Sequence, residues 1–151
     1  MTPLTMKFRV EFDQKTKILL LRVAGGLTDE SLLEAYEATR KHSISTHARL
    51  GIMDLSSVTT FAVSAEFIRH RARQEPAPAD PRIIVVPQTY AFGLFRMLQL
   101  LGESANPRLQ IVRTLDEVFA ALGIPSPHFE LLVVPTPFGN GYARHIVAQG
   151  G

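Results

Sequence analysis

Hydrophobic positions first alternate with polar ones, then run together, then recur at helical spacing. In residues 7–12, KFRVEF, the side chains of Phe8, Val10 and Phe12 share one face, which predicts a half-buried strand at a sheet edge. Asp13–Lys17 is short and polar and predicts a hairpin loop. Ile18–Val23 is nearly continuous in apolar residues, the mark of a central strand covered on both faces, with Gly25-Gly26 ending it. Thr28 or Asp29 then caps a helix, with Asp29 and Glu30 against its positive end. Leu32, Leu33, Ala35 and Tyr36 form its inward stripe. Arg40, Lys41 and His42 are expected in its last turn, where cations are favoured, before a loop through Ser43–His47.

Residues 50–68, LGIMDLSSVTTFAVSAEFI, read as a buried strand over 49–55, a polar turn, and a helix start. Ser56, Ser57, Thr59 and Thr60 break the apolar run, and Ser64 stands at the N-cap. The helix is expected to stop near Glu75, because Pro76 disfavours helical geometry in the residue before it. Arg69, His70, Arg71 and Arg73 mark its exposed side, and Arg71 and Glu75 have i,i+4 spacing. Pro76, Pro78 and Pro81 make a stiff connection. Arg82–Val86 predicts a short strand bounded by Pro87.

The spacing predicts a helix over 89–101. Tyr90, Leu94, Met97, Leu98 and Leu101 define one stripe, Phe92 and Phe95 widen it, and Gly102 fits a C-terminal cap. Such a helix is either deeply buried or packs on a partner chain or an apolar ligand. Leu109–Val112 predicts another strand. Thr114 and Glu117 form a capping box for a last helix with Val118, Phe119 and Leu122 inward, closed by Gly123, Ile124 and Pro125. Phe129–Val134 has strand character. The remaining tail carries too little charge for a solubilising segment, and is expected to add a strand to its own domain or to a neighbour.

Strands and helices alternate after the opening hairpin. This predicts an α/β fold: a mixed, mostly parallel sheet with an N-terminal hairpin, right-handed crossovers and about four helices. With 151 residues the chain is one domain with a sizeable core. No cysteine is present, which excludes disulfides and thiolate metal sites and is compatible with a reducing compartment. A net charge of +2 is too small to imply nucleic acid. No apolar segment is long enough for a membrane span, and no apolar leader precedes Lys7 and Arg9. A cytoplasmic protein is expected.

Catalytic motifs are missing: no Gly-x-Ser-x-Gly elbow, no phosphate loop, and no metal spacing among the five histidines. Asp54, at a strand end, is read as a hydrogen-bond acceptor for the following Ser-rich turn. No catalytic, cofactor or metal residues are assigned.

The segment MDLSSVTTFAVSAEF resembles the signature of the STAS domain superfamily, in which a strand ending in Asp-Leu leads through a Ser-rich turn into a helix. IIVVPQTYAFGLFRMLQLLGE and LQIVRTLDEVFAALG resemble the second half of the small SpoIIAA-like proteins. The resemblance covers about residues 7–124. It implies a SpoIIAA-like (STAS) domain over residues 1–124, with 125–151 as an extension that adds a strand or an oligomerisation tail. It also implies a regulatory protein-interaction function. Aligning Asp54-Leu55 puts Ser64 at the family's phosphorylated serine, the candidate switch. Ala62, Val63 and Ala65 replace the family's flanking acid, serine and glycine, so the switch motif is degenerate.

Two functions stand against each other at this point, beside a small enzyme for which no motif is found. One is a non-enzymatic STAS-like regulator that docks an acidic protein partner through Ser57, Arg69 and Arg73. The other is a carrier of an apolar or lipid ligand, because SpoIIAA-like proteins are related in fold to lipid-binding CRAL-TRIO domains. Its expected pocket involves Phe92, Phe95 and Leu98. A homodimer is expected in either case.

Overall fold

The structure is a computed structural model and describes residues 6–74, 81–103, 108–124 and 127–133. The expected Arg71–Glu75 pair, the proline connection and the tail after residue 133 lie outside the described residues.

The opening hairpin forms as its pattern requires. Strand β1 (Met6–Asp13) pairs antiparallel with β2 (Ile18–Thr28). The turn between them closes with the Lys17 N–H donating to the Asp13 carbonyl at 2.8 Å and Lys17 in the left-handed region (φ 61°). Strand β2 does not stop at Gly25-Gly26. It continues to Thr28 through two register shifts against its parallel neighbour, one on each side of Ala24 and Gly25. Gly25 takes φ 90°, a conformation that costs glycine nothing.

Helix α1 (Asp29–Thr46) starts at the Thr28 N-cap, whose hydroxyl accepts from the Ser31 N–H while the Ser31 hydroxyl accepts from the Thr28 N–H. It buries Leu32, Ala35 and Tyr36, but Leu33 is 41% exposed and leaves the predicted stripe. The helix also runs through the expected loop at 43–47 and ends on a left-handed His47 (φ 56°). Arg40, Lys41 and His42 therefore lie before the last turn and gain no advantage from the helix end.

Strand β3 (Leu50–Ala62) is twice as long as its apolar core suggested. The predicted turn at Ser56–Thr60 is strand, paired with the extension of β2, with Val58 buried and Ser56, Ser57, Thr59 and Thr60 exposed. Helix α2 (Ala65–Ala72), strand β4 (Ile83–Val85) and helix α3 (Thr89–Leu101) follow. The α3 stripe is rotated from expectation. Ala91, Phe95 and Leu98 are buried, whereas Tyr90 is 72% and Leu101 54% exposed. Gly102 ends α3 at φ −97° and not in the left-handed region. A Cβ there would come within 3.2 Å of the Ala72 carbonyl oxygen, so the close approach of α2 to α3 is what calls for glycine. Strand β5 (Gln110–Val112) precedes helix α4 (Leu115–Leu122). The Glu117 N–H donates to the Thr114 hydroxyl, and the Glu117 carboxylate accepts from the Arg113 N–H, one residue short of the predicted box. Gly123 takes the left-handed cap (φ 71°), and the Ile124 N–H donates to the Phe119 carbonyl at 2.9 Å. Strand β6 (Glu130–Val133) is antiparallel to β1.

The sheet order is β5-β4-β3-β2-β1-β6, with β1, β2 and β6 joined by antiparallel pairings and β2 through β5 by parallel ones. The fold is thus α/β with a six-stranded mixed sheet and four helices. Strand β1 is interior, because β6 takes the edge the sequence assigned to it. Helices α1, α2 and α3 cover one face, around Leu19, Leu21, Met53, Ile84 and Phe95. Helix α4 covers part of the other, around Ile18, Leu20, Ile52 and Val118. No helix of the described residues is long and apolar enough to cross a membrane.

Two groups make this fold sensitive to acid. The Thr16 hydroxyl, donating to Asp13 at 2.6 Å, is the main reason that carboxyl lies below its usual 3.8; burial opposes, and the Lys15 and Thr16 N–H groups and His128 assist. Burial, then the charge of Lys41, lowers His42 from its usual 6.5. A depressed folded value means the group's contribution is complete above its unfolded value and is lost as pH falls through the folded one. Urea midpoints are expected to decline below pH 6.5 and again below pH 3.8. His42→Gln should reduce the first decline, and Asp13→Asn the second.

Candidate functional site

Thr28 and Ala62 are paired neighbours where β2 and β3 end. The next residues must therefore meet. Asp29 opens α1, and Ser64 is the N-cap of α2. The Ser64 N–H donates to Asp29 Oδ1 and its hydroxyl to Asp29 Oδ2, both at 2.8 Å. The same hydroxyl accepts from the Phe67 N–H at 3.0 Å. Ser64 is thus exposed, yet tied to a carboxylate and to a helix N-terminus. Read in the sequence as an alternative cap and a counter-charge for α1, Asp29 also lines a groove with Ser64; nothing in linear spacing marks a contact across 35 positions.

Asp29, Ser64, Glu66, Phe67, Arg69, His70 and Arg73 line one shallow groove of about 540 Å³. Ser64, the candidate switch, and Arg69 and Arg73, two of the three candidate docking residues, all line it. Arg71 points differently, with its guanidinium 4.2 Å from the Tyr36 ring centroid. Ser57 does not line this groove; it lies in the exposed polar part of β3, in register with Ala24. The groove combines a hydroxyl, the carboxylate of Asp29 paired with it, a second carboxylate from Glu66, an imidazole and two arginines. That arrangement suits recognition of an acidic surface, or a charge-changing modification of the hydroxyl.

The three residues of the expected apolar pocket lie apart from this groove. Phe95 and Leu98 are buried in the core under α3, and Phe92 packs against it beneath the Arg113 guanidinium, 4.2 Å from its ring centroid. Asp54 does accept from the Ser56 N–H and hydroxyl, but within a strand and not a turn. Its other oxygen faces Arg22 at 3.5 Å, and Arg22 Nε donates to Glu11 at 3.0 Å. Glu11 and Asp54 are buried while the Arg22 side chain is 41% exposed. The sequence reading missed this network. Its signal was Arg22, the one charge inside the apolar run of β2. Among the described residues no cluster of three or more histidines or carboxylates could hold a metal ion.

No family model matches the chain, and no curated protein matches it.

Ser64→Ala should cost about 0.5–2 kcal/mol, the range for losing an N-cap, and Asp29→Ala, which removes the acceptor of two exposed hydrogen bonds from Ser64, about 0.5–1.5 kcal/mol. In a double-mutant cycle read by urea denaturation, the double variant should lose less than the sum of the two singles. Additive losses would mean that the Ser64–Asp29 contact contributes nothing in solution.

Proposed function

We propose that the protein is a non-enzymatic regulatory interaction module of the STAS type, a SpoIIAA-like protein that docks an acidic protein partner through α2. The observation that supports this reading is the exposed Ser64 hydroxyl at the helix N-terminus, bonded to Asp29 and bordered by Arg69 and Arg73. A partner carboxylate on that groove pairs with the arginines, and docking driven by such pairs weakens with salt.

The Ser64–Asp29 contact also says how the surface responds to modification. The motif lacks the acid that precedes the family's serine, and here Asp29 brings a carboxylate to that hydroxyl from another element. A phosphate on Ser64 adds about −1.5 to −2 charges and displaces its bond to Asp29. Repulsion from Asp29 then turns the phosphate toward Arg69 and Arg73, the same groups that would hold the partner. Phosphorylation therefore lowers partner affinity in this reading.

Affinity capture from the native host, repeated at rising ionic strength, tests the proposal. Arg69→Ala combined with Arg73→Ala should abolish recovery of the salt-sensitive partner, and Ser64→Glu should weaken it about tenfold or more. A partner retained equally by all three proteins would exclude this docking surface.

A further inference from the structure

The end of the sheet opposite Ser64 has its own chemistry. Three adjacent parallel strands are each entered by an arginine: Arg49 directly before β3, Arg82 directly before β4, and Arg108 two residues before β5. Parallel neighbours begin at the same end of a sheet, about 4.8 Å apart, so the three arginines form a row. Lys17, before β2, continues it, but its ammonium donates to Gln14 and lies over the Phe12 ring. Among the described residues no carboxylate is within ion-pair distance of Arg49, Arg82 or Arg108.

The three arginines line a groove of about 600 Å³ that runs beside α4, together with apolar Leu50, Ile83, Val118 and Leu122. Ser43, at the end of α1, lines it too. Ser43 is only 5% exposed, and its hydroxyl has no hydrogen-bond partner among the described residues. Buried hydroxyls are ordinarily paired, so this one is a donor without an acceptor beside three cations without counter-charges. Glu117 is the one acid lining the groove, and its carboxylate already accepts from the Arg113 N–H.

We propose that this groove is a binding site for a small organic anion, with the acidic group, phosphate or carboxylate, on the arginine row and an apolar body along α4. Planar guanidinium groups suit either acid through paired N–H donors. The volume falls within the usual range for small-molecule sites. The apolar lining explains why a bare inorganic ion would satisfy only half of the groove.

The test is a titration of the isotopically labelled full chain, followed by amide NMR shifts, with hexyl phosphate, hexanoate, hexanol and inorganic phosphate. Saturable shifts at Gly51, Ile83 and Gln110 are expected from at least one of the two amphipathic anions, and the tighter of them identifies the acid. Hexanol and inorganic phosphate should each bind at least about tenfold more weakly than that anion. Arg82→Gln should weaken it by about tenfold or more. Leu122→Glu, at a half-exposed position that tolerates substitution, should do the same and keeps the test decisive if Arg82→Gln fails to fold. The proposal is overturned by any of three results: no saturable shift from either anion, shifts confined to Ser64–Arg73, or a folded variant that binds like the parent.

Discussion

The parallel register of β2 against β3 determines where every candidate group of this molecule sits. Pairing begins with Ile18 against Leu50 and ends with Thr28 against Ala62. At its far end the two strands stop side by side, so Asp29 and Ser64 meet although 35 positions separate them. At its near end the Arg49 N–H donates to the Lys17 carbonyl at 2.8 Å, which starts the cationic row. Burial holds the register. Leu19, Leu21, Met53 and Leu55 face the three-helix side, and a one-residue slip would turn all of them to the other face.

Charge adds to that specificity. Arg22 lies opposite Asp54 in the β2–β3 ladder and donates to Glu11 on β1. A one-residue slip of β2 would carry Arg22 under the helices and leave two buried carboxylates without it. Removing one partner of a fully buried ion pair costs about 3–5 kcal/mol. Here the guanidinium is half-exposed, and solvent reduces the penalty. The network therefore contributes modestly to stability, but it strongly disfavours the wrong alignment. It occupies the face that α4 covers only in part, where solvent reaches Arg22.

How far the sequence could be read follows from these same forces. The order of strands and helices was legible because apolar runs of distinct period alternate along the chain. The length of β3 was not. Ser56–Thr60 looks like a turn by composition, and only its pairing with Ala24–Gly26 makes it strand, with Val58 as the single buried clue. The end of α1 was misplaced for a related reason. Thr46 and Ser45 satisfy their hydroxyls on the His42 carbonyl inside the last turns, so residues that usually signal a loop remain helical. In α3, apolar residues surround most of the helix, and periodicity then carries no phase; Tyr90 was assigned inward and lies outward. Ser64 as an N-cap was legible locally, whereas its partner Asp29 was not, because tertiary pairing alone creates that contact.

The two polar ends are too far apart to be one site. Strand β3, with 13 residues, spans roughly 40 Å at the usual rise per residue. Exposed charges are screened over about 8 Å at physiological ionic strength, so the arginine row exerts no useful field on Ser64. Mechanical coupling would need an element with two arrangements. The strand that connects the ends is instead buried over Gly51–Leu55 and paired on both sides there, by β2 and β4. Such a strand transmits rigidity and not a switch. In the proposed reading a phosphate on Ser64 would find its cations in Arg69 and Arg73 of its own groove. The row at Arg49, Arg82 and Arg108 lies at the other end of the sheet, which keeps the two surfaces independent.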